Sequence, residues 1–357
     1  MSLKELGIEH KKLEDTRVAT VRFNLKKREA LPAILDELAR TIRKESIIGP
    51  AFCVFQFVTS VTEGFDVEVG FPVSQAVEVG DIKTRILPAM EVLSLVHTGP
   101  PKELQDSYRQ LYGCAAEHGL ISDEFSREAY RDWDHPEGSD IEVQFVIHHW
   151  NGLLGKNLAR VLGEEARRKV MQGDDELTLE STGDERFLWV KGVMDRLVGL
   201  AGEDQRYDIV SSCAHIFPRS QIDKLTAVYE TTRARTNDPL KAIDAVIDFM
   251  AEDPGWGERP LREGHVIYSS KAPRDPEGYA SAQDEAGKRK AYCFCPLVRN
   301  HLDGGMPVTF CYCGAGWYRQ QWEGAIGKPV RIQVVKSVLT GDDVCQFAIH
   351  LPDDLSR

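Results

Sequence analysis

Long apolar runs are missing from this sequence. Nowhere in its 357 residues do eighteen or so apolar residues follow one another, which excludes a membrane-spanning helix. The opening MSLKELGIEHKKLEDTR is charged throughout and lacks the apolar core of a signal peptide, so a cytoplasmic location is expected. Positive charge is in short supply: 44 Lys and Arg stand against 56 Asp and Glu, a formal net charge of −12. Phosphate contacts need clustered basic residues, so direct nucleic-acid binding is not expected. The eight cysteines do not show the C-x2-4-C spacing of structural zinc sites. Without a secretion signal they imply a reducing compartment, where thiols stay free or bind metal.

What the chain does contain is a repeat. DVEVGFPV (66–73) and DIEVQFVI (140–147) are nearly the same string, 74 residues apart. The same offset separates RVATVRF (17–23) from EVLSLVH (91–97), and all four alternate as strands do. A helix is expected after each of the latter. ALPAILDELARTIRK (30–44) stripes Leu31, Ile34, Leu35, Leu38 and Ile42 along one face, and PKELQDSYRQLYGCAAEHG (101–119) does so with Leu104, Tyr108, Leu111 and Ala115. Gly119 is placed as a C-cap. AFCVFQFV (51–58) and FSREAYRDW (125–133) then precede the acid-bearing strands. Each half reads strand, helix, strand, strand, so residues 1–150 form a duplicated α+β domain with a ligand cleft expected between the pseudo-repeats.

Residues 151–186 read as a connector, an amphipathic helix followed by the acidic, turn-rich GDDELTLESTGDE. From 187 to 357 a second α+β domain is expected, with helices first and short antiparallel strands later. Its strands are YCFCP, PVRIQVVKSVL and VCQFAIHL, the last two flanking a TGDD turn, and CGAGWYRQQWEGAIG is a helix ended by Gly327.

Side chains alternate across a strand, so Ile141, Val143, Phe145 and Ile147 share the face toward the helices. Asp140, Glu142 and Gln144 share the other, as do Asp66 and Glu68 in the first copy. If the halves abut, Glu142 and Glu68 line a seam. Tyr108, Tyr112, Tyr130, Trp133 and Phe55 supply aromatic surface for a planar or cationic ligand. The alternative is that both acids sit on a wet sheet face.

The order HTGPPKELQDSYRQLYGCAAEHGL, REAYRDW, DIEVQFVI resembles the GyrI-like domains, the effector-binding domains of AraC- and MerR-type regulators, over nearly all of 1–150. The resemblance implies a small, often hydrophobic or cationic ligand held in the cleft. It implies that the pocket acid is Glu142, accompanied by Tyr130. Some stand-alone members of that family are hydrolases using such a Glu–Tyr pair. Two functions therefore stay open: a cytoplasmic protein that senses or sequesters a small molecule, or a hydrolase with Glu142 as general base and Tyr130 assisting. Nothing in the sequence sets an oligomeric state.

Cys293 and Cys295 form CFC, and Cys311 and Cys313 form CYC. In extended chain, thiols at i and i+2 share a face, so the two pairs would converge on a zinc ion, with Cys345, Cys213, His301 and His215 as further donors. A buried thiol cluster is the preferred reading, and a reactive thiol is a third. Residues 187–351, most clearly after Cys293, resemble the aminothiazoline-carboxylate hydrolase-like and 4-vinyl reductase-type domains, which implies a further ligand-binding module.

Overall fold

The 74-residue offset folds into one sheet with a mirrored strand order. The structure, a computed structural model, describes residues 3–56, 65–100, 103–131, 140–252 and 258–356. The chain divides into two units, Met1–Ala116 with Leu120–His148, and Glu117–Gly119 with His149–Arg357.

The first unit runs β1 (Ile8–Leu13), β2 (Thr16–Leu25), a 3-10 turn (Arg28–Ala30), α1 (Leu31–Ile42), β3 (Ala51–Gln56), β4 (Phe65–Pro72), β5 (Lys83–Leu87), β6 (Met90–His97), α2 (Leu104–Glu117), β7 (Leu120–Tyr130) and β8 (Ile141–His149). The sheet order is β1-β6-β8-β7-β3-β4-β2-β5. The first repeat occupies β3-β4-β2 and the second β7-β8-β6, so the copies meet where β3 pairs with β7. That pairing is antiparallel, with Ala51 opposite Tyr130, Cys53 opposite Glu128 and Phe55 opposite Ser126. Leu31, Leu35, Leu38 and Ile42 of α1 are buried as their spacing predicts, and so are Leu104, Leu111 and Ala115 of α2.

One consequence corrects the expected seam. The acid-bearing strands β4 and β8 do not adjoin, because β3 and β7 lie between them. Glu68 and Glu142 therefore do not face one another.

The second unit holds α3 (Trp150–Leu162), α4 (Glu164–Val170), α5 (Gly183–Leu200), α6 (Glu203–Ser211), α7 (Arg219–Thr236), α8 (Pro239–Glu252), β9 (Leu261–Glu263), β10 (Val266–Ser270), α9 (Pro276–Ser281), α10 (Glu285–Tyr292), α11 (Tyr312–Ile326), β11 (Arg331–Lys336) and β12 (Gln346–His350). Residues 151–186 are thus largely helical and belong to this unit. A capping box starts α5, with the Glu185 amide donating to Thr182 Oγ1 at 3.2 Å and the Thr182 amide donating to Glu185 at 2.7 Å. The strands form an antiparallel sheet in the order β11-β12-β10-β9. Tyr207, Tyr229, Trp322, Ile332 and Ile349 belong to the core between this sheet and the helices. As expected, α11 ends at Gly327, which takes the left-handed conformation at φ +66°. Gly316 answers to a different constraint. A Cβ there would lie 1.9 Å from the Ser211 carbonyl oxygen, so only glycine lets α11 run against the end of α6. YCFCP is not a strand: α10 ends at Tyr292, and the chain then turns.

Candidate functional site

The β3–β7 seam places one carboxylate at the centre of the first unit, and it is Glu128. Residues at i and i+2 of a strand point the same way, so Ser126, Glu128 and Tyr130 of β7 share a face with Ala51, Cys53 and Phe55 opposite them. The helices cover this face. Tyr108 of α2 reaches Glu128 from one repeat, and Arg28, just before α1, reaches it from the other.

Glu128 is fully buried. The Arg28 guanidinium donates to it twice, Nη1 to Oε2 at 2.9 Å and Nη2 to Oε1 at 2.5 Å. The Tyr108 hydroxyl donates to Oε1 at 2.5 Å, and the Tyr130 hydroxyl donates to Oε2. Each oxygen thus accepts two hydrogen bonds, so the hydrogen-bonding capacity of the buried carboxylate is filled. Arg28 also lies over two aromatic rings, 4.4 Å from the centre of Phe55 and 5.8 Å from that of Phe65. Tyr108 packs against Phe145 at 5.7 Å between ring centres.

The electrostatics follow from this enclosure. Burial works against the Arg28 cation, but the charge and hydrogen bonds of Glu128 outweigh it and hold Arg28 firmly protonated. Burial, then the negative charge of Glu128, pushes both Tyr108 and Tyr130 well above the usual phenol range. The same two causes raise the Cys53 thiol.

Other residues expected at the site lie elsewhere. Tyr130 bonds to Glu128 and not to Glu142. Glu142 sits on the opposite face of the sheet, where Lys11 Nζ donates to it at 2.9 Å and Gln144 at 3.0 Å, with Arg131 at 3.6 Å. Glu68 shares that opposite face and is held by Arg85 through two bonds of 2.7 and 2.8 Å. Burial opposes ionisation of both acids, but these donors hold both below the usual carboxylate range. Each is an internally paired charge. Phe55 belongs to the Glu128 site, Tyr112 is 59% exposed, and Trp133 lies outside the described residues. The missed acid had a signal, since Glu-x-Tyr in REAY places the two side chains on one strand face.

The CYC pair does not share a face as it would in extended chain. All eight cysteines are free. CYC spans the start of α11, where i and i+2 point apart, so Cys311 meets Ser337 Oγ at 3.1 Å while Cys313 donates to the Cys213 carbonyl at 3.4 Å. Among the described residues no three cysteine sulfurs lie within 4.8 Å of one another. His301 is engaged with Asp184 at 3.1 Å and stacks on Phe187. The second unit also holds a cavity of about 100 Å³ lined by Trp150, Asn151, Arg186 and Trp189. Arg186 spends its donors there on the carbonyls of Ser181, His118, Thr178 and Leu179.

Among the described residues no helix is long and apolar enough to cross a membrane. No curated protein matches the chain. Solved structures match over about 40% of the chain. The C-terminal domain of EcmrR is 21% identical, with 40% of this chain and 97% of that one covered and a TM-score of 0.36. A hydrolase from Listeria innocua is 12% identical over 40% and 91%, with a TM-score of 0.31. SAV2435 bound to tetraphenylphosphonium is 10% identical over 40% and 93%, with a TM-score of 0.30. At these values none of them carries an argument about what this chain does. Residues 8–145, which hold the whole of the Arg28, Tyr108, Glu128 and Tyr130 site, match the family model of the GyrI-like small molecule binding domain.

Proposed function

We propose that the chain is a small-molecule-binding protein whose first unit takes a lipophilic cation at Glu128, in the place held by the Arg28 guanidinium. One observation carries this reading: the site already binds a cation, its own, through a carboxylate and an aromatic face. A ligand with delocalised positive charge and apolar surface would meet the same two features. Arg28 comes from a short 3-10 turn and its side chain is 28% exposed, so it can leave without unravelling a strand or a long helix. Binding is favoured over hydrolysis because the carboxylate and the aromatic face that hold the guanidinium are the two features of a cation site. A sensing or sequestering role follows from binding without turnover.

Calorimetry with tetraphenylphosphonium, a lipophilic cation with no hydrogen-bond donor, tests the reading on the full chain. Binding is expected to be at least tenfold weaker in the Arg28→Met/Glu128→Gln double variant, which keeps the site neutral and removes the carboxylate. Absence of binding to the unsubstituted protein, or binding that depends on Glu142 instead, would refute it.

A further inference from the structure

The cavity in the second unit has a guanidinium on its wall and no carboxylate. Arg186 is 8% exposed, and no Asp or Glu among the described residues lines the cavity with it. Its Nε donates to the Ser181 carbonyl and its Nη1 to that of His118, both at 3.1 Å. Its Nη2 donates to the Thr178 and Leu179 carbonyls at 2.7 and 2.9 Å. A guanidinium carries five N–H groups, so one hydrogen on Nη1 is left without a partner among the described residues. Carbonyl dipoles orient the group but do not cancel its charge. Burial holds Arg186 below the usual guanidinium range against the opposing charges of Glu185 and Glu180, and neither acid lines the cavity.

The same cavity lies at the start of α3. Trp150 and Asn151, the first two residues of that helix, line it together with the N-cap residue His149. No side-chain bond caps this end, and the first turn holds no acid. The Asn151 side chain is engaged, its Oδ1 accepting from the Gly152 amide at 3.0 Å and its Nδ2 donating to Asp174. The first amides of a helix have no acceptor within it and carry the positive end of its dipole. A buried guanidinium and a helix N-terminus, two positive features of separate origin, thus border one small space. Its walls are also aromatic. Trp150 contributes one indole, and Trp189 of α5 contributes another, whose Nε1 has no hydrogen-bond partner among the described residues.

We infer that this cavity binds a small aromatic carboxylate, its anionic end held by Arg186 and the first amides of α3 and its ring set against Trp150 and Trp189. A carboxylate supplies the counter-charge that Arg186 lacks, and its two oxygens accept from a guanidinium and a backbone amide at once. Size limits the rest of the ligand. A closed cavity of about 150 Å³ takes up benzene, so a half-open one of about 100 Å³ admits a single ring. The site is independent of Glu128, which lies in the other unit and selects the opposite charge.

Calorimetric titration of the full chain with sodium benzoate tests the assignment. One molecule should bind, with a dissociation constant of about 0.1–1 mM for a ligand of about nine heavy atoms. Leu177 also lines the cavity, and its side chain carries none of the Arg186 contacts. Leu177→Glu places a negative charge on the wall and should bind benzoate at least tenfold more weakly than Leu177→Gln, which has the same shape and no charge. Benzyl alcohol keeps the ring without the charge, and sulfate keeps a charge without the ring; each should bind at least tenfold more weakly than benzoate. The Arg28→Met/Glu128→Gln variant should keep the benzoate affinity unchanged. No benzoate binding at about 10 mM, equal affinities in the two Leu177 variants, sulfate or benzyl alcohol binding as tightly as benzoate, or loss of binding in the Arg28/Glu128 variant would overturn the assignment.

Discussion

The Arg28 guanidinium lies 4.4 Å from the centre of the Phe55 ring while both of its Nη atoms donate to Glu128. An aromatic face on one side and a carboxylate on the other are the two features that select a cation, and here the chain supplies the cation itself. The arrangement keeps the centre of the first unit electrically neutral. It also means that any incoming cation competes with an internal one.

Removing the carboxylate alone should be costly. Glu128→Gln leaves Arg28 buried without a counter-charge, so the urea unfolding of the first unit is expected to lose about 3–5 kcal/mol. The Arg28→Met/Glu128→Gln pair should recover much of that, because both charges go together. A double variant no more stable than the single one would show that Arg28 and Glu128 are not coupled.

The two tyrosines set an alkaline limit. An unfolded phenol titrates near 10, and Tyr108 and Tyr130 are held above that by burial and by Glu128. Their contribution to stability is complete below about pH 10 and is lost as pH rises, at about 1.4 kcal/mol per pH unit for each residue. Denaturation curves at pH 9 to 11.5 should therefore be flatter for Tyr108→Phe/Tyr130→Phe. Parallel curves would contradict the placement of these hydroxyls against the carboxylate.

Glu142 and Glu68 govern the acid side instead. Both are held below the usual range, so their contribution is present above about pH 4.5 and is lost as pH falls through their lower folded values. Glu142→Gln should blunt acid unfolding between pH 4.5 and 2.5. Because Glu142 lies on the other face of the sheet, it should change tetraphenylphosphonium affinity by no more than about twofold. A tenfold loss would return the binding site to β8.

The duplicated architecture was legible because each copy repeats the same packing problem. Leu31, Leu35 and Leu38 of α1, like Leu104 and Leu111 of α2, must find one sheet face, and the 74-residue spacing shows it before any coordinates do. Glu128 was not legible by the same rule. Alternation assigns strand acids to the wet face, yet Glu128 is buried under the helices. Its charge is met there by Arg28, a hundred residues away in sequence, and by Tyr108. The shared face expected of Cys311 and Cys313 is absent for a related reason. A shared face at i and i+2 holds in a strand, but Cys311 and Cys313 fall at the start of a helix, where the rule reverses.

The central claim is that Arg28 occupies a cation site, and the affinity of the Arg28→Met variant for tetraphenylphosphonium at pH 8 tests it most directly. Charged hydrogen bonds of this kind are worth about 1.5–3 kcal/mol, so removing the internal competitor should tighten binding by about ten- to a hundredfold. Unchanged or weaker binding in this variant, with the fold intact by circular dichroism, would contradict the account.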